Sequence, residues 1–271
     1  MTSEKSFEMS EPGRKMPALF IGHGTPMNTL EDNTFSRNWQ ELGQNLPRPR
    51  AILCVSAHWE TRGSYVTAMS DPQTIHDFGG FPRALFEYQY PAPGSPELAR
   101  LVQETVASTP VKADQSWGLD HGTWSVLARM YPQADIPVVQ LSLDRSKDPA
   151  FHYALGKELH KLREQGILIL GSGNIVHNLR TIVFQEGWEE KGLDWAIEFD
   201  EAIKKVILSG DHTDAIHYEK FGRAAQLAVN SAEHYLPLLY ILGLQDEQDR
   251  VTFYTEKCAF GSLSMRSVQI G

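Results

Sequence analysis

The chain predicts an α/β fold: a single domain with a mixed, mainly parallel central sheet flanked by helices. Three observations predict it. Short runs of aliphatic and β-branched residues recur along the chain, they are apolar throughout rather than alternating, and helix-like segments separate them. Strands that read as continuous apolar runs are buried on both faces, as in parallel sheets covered by helices. Alternation of strand and helix along a chain is the pattern of such sheets.

Each element has its own signal. A first strand is expected at 17–21, leading through Gly22-His23-Gly24-Thr25-Pro26 into a helix at 35–46. A second strand follows at 51–56, with a short neighbour at 65–69. Residues 71–93 are rich in Gly, Pro and aromatics without a clean period, and read as a long ordered loop of the kind that covers a binding site. The helix expected at 96–108 has Ser95 as its cap and Pro96 at its first position. Another begins near Thr123, after Asp120-His121-Gly122. A strand at 137–143, an amphipathic helix at 151–164 and a strand at 167–170 come next. Helices at 193–209, 221–232 and 235–242 precede a final strand-like segment at 260–268. No repeat, low-complexity tract or linker divides the chain. Residues 17–271 are therefore expected to form one domain that carries the site. Residues 1–16 are polar and charged without the apolar core of a secretory signal, and are expected to be a flexible arm.

The bulk numbers exclude several classes. A chain of 271 residues can bury a large core. Lys and Arg number 25 against 34 Asp and Glu, a net charge of -9, which argues against a general nucleic-acid binder. No apolar stretch approaches the roughly 18 residues needed to span a bilayer, so no membrane partner is expected. Cys54 lies inside an apolar run and Cys258 near the end, so there is no disulfide framework and a reducing cytoplasm is expected.

The histidines carry the functional signal. Of ten, His152 and His160 fall on the polar side of a helix and His212 and His217 in a charged segment, so these four are expected at the solvated surface. His23, His58 and His177 differ, because each follows an apolar run that ends in small residues. In open α/β sheets the ligand crevice lies beyond the carboxyl ends of the strands, so these imidazoles can converge there. Imidazole is the commonest ligand of catalytic transition metals and titrates near neutrality. A third ligand is offered by His234 or by Glu233, the latter completing a two-histidine, one-carboxylate face. Neighbouring helical residues point about 100° apart, so only one of them can easily face the ion. His177, beyond Gly171-Ser172-Gly173, is a fourth ligand or a general base. His121 stands near a helix start, either as a pocket group or as a turn residue.

Six segments give a resemblance. They are Gly22-His23-Gly24-Thr25-Pro26, Ser56-Ala57-His58-Trp59, Asp77-Phe78-Gly79-Gly80-Phe81-Pro82, Leu119-Asp120-His121-Gly122-Thr123-Trp124, Gly171-Ser172-Gly173-Asn174-Ile175-Val176-His177-Asn178-Leu179 and Glu233-His234-Tyr235-Leu236-Pro237-Leu238. Spanning nearly the whole chain in one order, they make it resemble the class III extradiol ring-cleavage dioxygenases, in the DOPA 4,5-dioxygenase branch. The resemblance implies a mononuclear non-haem metal held by His23, His58 and His234, with His177 as base or additional ligand and His121 on a substrate oxygen. The better-known class III enzymes use a glutamate as third ligand. A three-histidine site holds Zn(II) as readily as Fe(II), and Zn(II) cannot change oxidation state. The implied partners are a small-molecule catechol, with L-DOPA as the expected substrate, and O₂. The implied reaction opens the ring beside its two hydroxyls to a muconic semialdehyde (seco-DOPA). His177 would accept a catechol proton, and the aromatic loop would cover the ring, with His76 or Arg83 meeting a substrate carboxylate. The rival expectation is a zinc-dependent hydrolase that activates water at the same histidine-lined site.

Overall fold

The structure, a computed structural model, describes residues 15–271. Its strands are β1 (Ala18–Gly22), β2 (Ala51–Thr61), β3 (Ser64–Thr67), β4 (Val111–Asp114), β5 (Val138–Asp144), β6 (Ile167–Gly173), β7 (Val251–Tyr254), β8 (Cys258–Ala259), β9 (Leu263–Ser264) and β10 (Ser267–Ile270). Eight of them make one sheet in the order β4-β3-β5-β2-β6-β1-β10-β7, and β8 and β9 form a small hairpin. The centre, β5-β2-β6-β1, is parallel, whereas β10 runs antiparallel to β1 and β3 antiparallel to β5. The helices are α1 (Thr34–Asn45), α2 (Arg83–Phe86), α3 (Pro96–Thr105), α4 (His121–Met130), α5 (Pro149–Glu158), α6 (His160–Arg163), α7 (Asp194–Ser209), α8 (Thr213–Ile216), α9 (Gly222–Ala228) and α10 (Leu236–Gly243). The expected mainly parallel α/β domain is what the chain forms.

The apolar runs are buried on both faces because successive side chains point to opposite sides of the sheet. Ala18, Phe20, Leu53, Val55 and Ile169 face a core completed by α3, α5, α7, α9 and α10. Leu19, Ile21, Ile52, Cys54, Leu168 and Leu170 face a second core under α1 and α4. Ser95 caps α3 through the Leu98 amide at 3.1 Å, as its sequence indicates. Helix α10 is apolar all round because it lies between the sheet and α5. Gly156 and Gly243 permit that approach: a Cβ on either would strike a backbone carbonyl of the opposite helix, Tyr240 or Tyr153.

This double layer corrects the expectation for two histidines. His152 is fully buried, with Nδ1 3.2 Å from the Tyr240 hydroxyl, because α10 covers the face of α5 that its polar neighbours suggested was open. His212 is buried too, 3.2 Å from the Tyr153 hydroxyl. His217 is exposed, and His160 is half-buried against the Leu244 carbonyl. Other boundaries also differ. The helix expected at 151–164 breaks at Leu159 into α5 and α6, and the segment at 260–268 splits between the β8–β9 hairpin and β10. Strands β4 and β7, four residues each, were not anticipated.

Of the arm expected at 1–16, residues 1–14 lie outside the described residues. Lys15 is ion-paired with Asp246 and Asp249, and Met16 is buried. The buried Arg163 beside them donates to the carbonyls of Met16, Leu244 and Ile270 and pairs with Asp249 at 2.6 Å. Cys54 and Cys258 are free and buried. Among the described residues no helix is long and apolar enough to cross a membrane.

Candidate active site

Five histidines meet at the carboxyl ends of the parallel strands. His23 follows β1 directly, and its amide donates to the Gly173 carbonyl at 3.0 Å, carrying the β1–β6 pairing one residue further. Gly24 then turns the chain in the left-handed region, φ +60°, which glycine adopts without strain. His58 sits inside β2, not past its end. Pairing with β5 runs to Val55–Leu141 and resumes at Glu60–Leu143, so Ser56, Ala57, His58 and Trp59 stand opposite Ser142 alone. This bulge re-aims His58 into the crevice.

His121 opens α4, after the cap Asp120, whose carboxylate accepts from the Thr123 amide, the Ser56 hydroxyl and the Gln140 amide group. Gly122 leaves room for His58, since a Cβ there would lie 2.8 Å from its Cδ2. His177 lies beyond β6 and is held by its amide on the Ala228 carbonyl at 2.9 Å. His234 precedes α10, and its carbonyl accepts from the Asn174 amide at 2.8 Å.

The rings of His23, His58 and His234 form a nearly equilateral triangle, with centroids 5.1, 5.3 and 5.0 Å apart. Three imidazoles bound to one ion at about 2.1 Å and near-tetrahedral angles hold their centroids about 5 Å apart. His121 does not fit that triangle: its centroid is 3.8 Å from His58 and 6.0 Å from His23. It does share a tight donor group with those two, all within 4.8 Å, as His177, Glu233 and His234 do on the other side.

Each ring of the triangle has an oxygen behind Nδ1. The Ser172 hydroxyl donates to the Gly122 carbonyl, so it accepts from His23 Nδ1–H at 3.0 Å. His58 Nδ1 faces Asp77 Oδ2 at 3.5 Å, and His234 Nδ1 faces Glu233 Oε1 at 3.1 Å. The hydrogen bonds at His23 and His234, and the Asp77 charge beside His58, favour protons on Nδ1 and leave the Nε2 lone pairs for an ion. The Nε2 atoms of His23 and His58 face each other at 3.2 Å. At that distance the two nitrogens share either a proton or a cation, and with both protons on Nδ1 the donor set fits a transition metal.

Electrostatics agree. Burial, reinforced by the surrounding imidazoles, holds His23 and His234 well below the usual histidine value. Burial and the neighbouring His121 push His58 down to about 3 against the pull of Asp77. Burial takes His177 to about 4 despite the Glu233 carboxylate. All four are neutral at physiological pH, the form that binds a metal or accepts a proton. His177 stacks flat on His234, with centroids 3.5 Å apart and planes 4° from parallel.

The aromatic loop lies over His121. Phe78 meets that ring edge-on at 5.4 Å and packs on Phe81 and Phe86, while Tyr88 stacks on Trp124. His76 and Arg83, expected to meet a substrate carboxylate, both have partners within the loop. His76 Nε2 is spent on the Tyr88 carbonyl at 2.9 Å, and Arg83 is exposed on α2 and paired with Glu87. Sequence reasoning gave no role to Asp77 or Ser172. The signal for Asp77 was a carboxylate set directly between His76 and Phe78 in a loop rich in aromatics.

Fold and site together define a class of protein: an α/β enzyme with a histidine-lined crevice suited to a transition metal. The chain belongs to the family described as the catalytic LigB subunit of aromatic ring-opening dioxygenase, which it matches over residues 17–269. Enzymes of this family use a non-haem metal. The chain is 52% identical over 261 residues to an Escherichia coli K12 protein named 4,5-DOPA dioxygenase extradiol, with 95% of each covered. It is 38% identical over 240 residues to the protein of that name from Beta vulgaris, covering 86% of this chain and 88% of the relative. A crystal structure of an uncharacterised Escherichia coli K12 protein superposes with TM-score 0.82 at 47% identity, covering 94% of this chain and all of the other.

Proposed function

We propose that the chain is an extradiol dioxygenase that opens a catechol ring beside its hydroxyls, with L-DOPA as substrate. The near-equilateral triangle of His23, His58 and His234 is the observation that carries this reading. These three hold the metal. Glu233 lies behind His234, on its Nδ1, and so orients the ligand rather than replacing it. The names of the relatives support the substrate, and the two free, buried cysteines agree with a cytoplasmic location.

Bound there, Fe(II) supplies the redox chemistry with which dioxygen opens an aromatic ring, which Zn(II), confined to one oxidation state, does not. His177 is the base. Its ring is parallel to His234, so their in-plane lone pairs run side by side and do not converge on one ion. Neutral and facing the pocket, it can take the proton that a catechol hydroxyl gives up on binding. His121 meets a substrate oxygen from the far side of His58. Phe78 and its aromatic neighbours cover the ring and exclude water from the negative charge that develops. Catechol and O₂ combine without other reactants, and both oxygen atoms end in the ring-opened product.

Isotopically labelled dioxygen tests this. A ring-opened product carrying both labelled atoms is expected. The aldehyde oxygen exchanges with water, so the product is trapped as it forms, and incorporation of no labelled atom contradicts the proposal.

A further inference from the structure

The Asp77 carboxylate touches three groups of the site at once. Oδ1 accepts the His121 backbone amide at 2.9 Å, an N–H that the start of α4 leaves without a helical partner. Oδ2 lies 2.9 Å from His121 Nδ1 and 3.5 Å from His58 Nδ1. His121 Nδ1 makes no hydrogen bond of good geometry, and His58 Nδ1 is beyond hydrogen-bond length. Asp77 therefore acts on both rings through its charge, which favours a proton on the nitrogen that faces it. Both rings therefore turn Nε2 away from Asp77 and into the crevice. Asp77 belongs to the aromatic loop, next to Phe78, whose ring stands edge-on to His121.

We propose that Asp77 is a positioning residue, which sets the Nδ1–H tautomers of His58 and His121 and ties the aromatic loop to the metal site. The proposal rests on His58 being a metal ligand. Only a carboxylate offers two acceptors here. Asparagine in the same place satisfies either the His121 amide or the imidazole N–H groups, and turns an N–H towards the other.

The experiment compares the full-length protein with Asp77→Asn and Asp77→Glu. Zn(II) affinity is measured by chelator competition, alongside Tm and, with Fe(II), kcat and KM for L-DOPA. Groups that orient metal ligands typically contribute 10–100-fold in affinity, so a loss of about that size is expected for Asp77→Asn. Its Tm should stay within a few degrees of the parent, kcat should fall more than KM rises, and Asp77→Glu should recover most of the lost affinity. Zn(II) affinity within twofold of the parent in Asp77→Asn overturns the proposal, whether or not Tm falls, because it leaves Asp77 only a helix cap. Nitrogen NMR of the unsubstituted protein gives a second reading that does not depend on a variant folding. His121 is expected as the Nδ1–H tautomer, and the Nε2–H form overturns the proposal. If the unsubstituted protein binds no Zn(II), the ligand assignment fails, while the His121 tautomer still reports on Asp77.

Discussion

His23 and His58 turn their Nε2 atoms towards each other at 3.2 Å, although 35 positions separate them in the chain. Each ring is backed on its other nitrogen, His23 by Ser172 and His58 by Asp77. The first is fixed by the end of β1 and the second by the bulge in β2. The two Nε2 atoms are thus brought together in a buried site, close enough to share a proton or to converge on one cation.

Replacing His177 separates base from ligand. His177→Ala should retain a full equivalent of metal by elemental analysis, because the triangle of His23, His58 and His234 is intact. Turnover should fall by about 10²–10⁴-fold, the usual contribution of a positioned base. Loss of the metal in this variant would place His177 among the ligands.

Gly173 is required by a neighbouring backbone and not by its own conformation. A Cβ there would collide with the His234 carbonyl oxygen, which cannot move without displacing the His234 ring. Gly173→Ala should destabilise the protein by about 1–3 kcal/mol, the range for overpacked sites. Metal affinity should drop with it. Unchanged denaturant midpoint and metal content would show that the segment around His234 is softer than its packing indicates.

Acid should weaken the fold through Asp249. Burial alone would raise its carboxyl, but hydrogen bonds from Arg163, Lys15 and the Asp246 loop outweigh that and hold it at about 2. Unfolded, the group titrates near 3.9. Its folded value is the lower one, so its stabilisation is present above about pH 4 and disappears as pH falls towards 2. Tm measured across that window should fall, and Asp249→Asn should flatten that part of the curve. A substituted protein with the same acid profile as the parent would assign the loss to other groups.

Much of this was legible in the chain. The central strands announced themselves because residues such as Phe20, Ile52 and Ile169 must be apolar on both faces of a covered sheet. His23 and His177 were legible for the same reason, as each follows such a strand. His58 was legible as a residue, but its place within a bulge depends on pairing with β5, which no local pattern encodes. Asp77 was hidden because its role comes from contacts with His121 and His58, 44 and 19 positions away. His152 misled because a polar helix face reads as solvent-exposed, and only the packing of α10 on α5 buries it. The strands β4 and β7 are too short for a period to register.

The central claim is that the histidine crevice, loaded with Fe(II), consumes dioxygen to open a catechol. Metal-free protein is loaded with Fe(II) under anaerobic conditions, mixed with L-DOPA and then exposed to oxygen, while O₂ uptake and the visible spectrum are recorded. One O₂ consumed for each L-DOPA, with a yellow ring-opened product that does not form with Zn(II), is the expected result. No O₂ uptake with L-DOPA or simpler catechols, from protein shown to hold one Fe(II), would contradict the account and favour a zinc hydrolase at the same site.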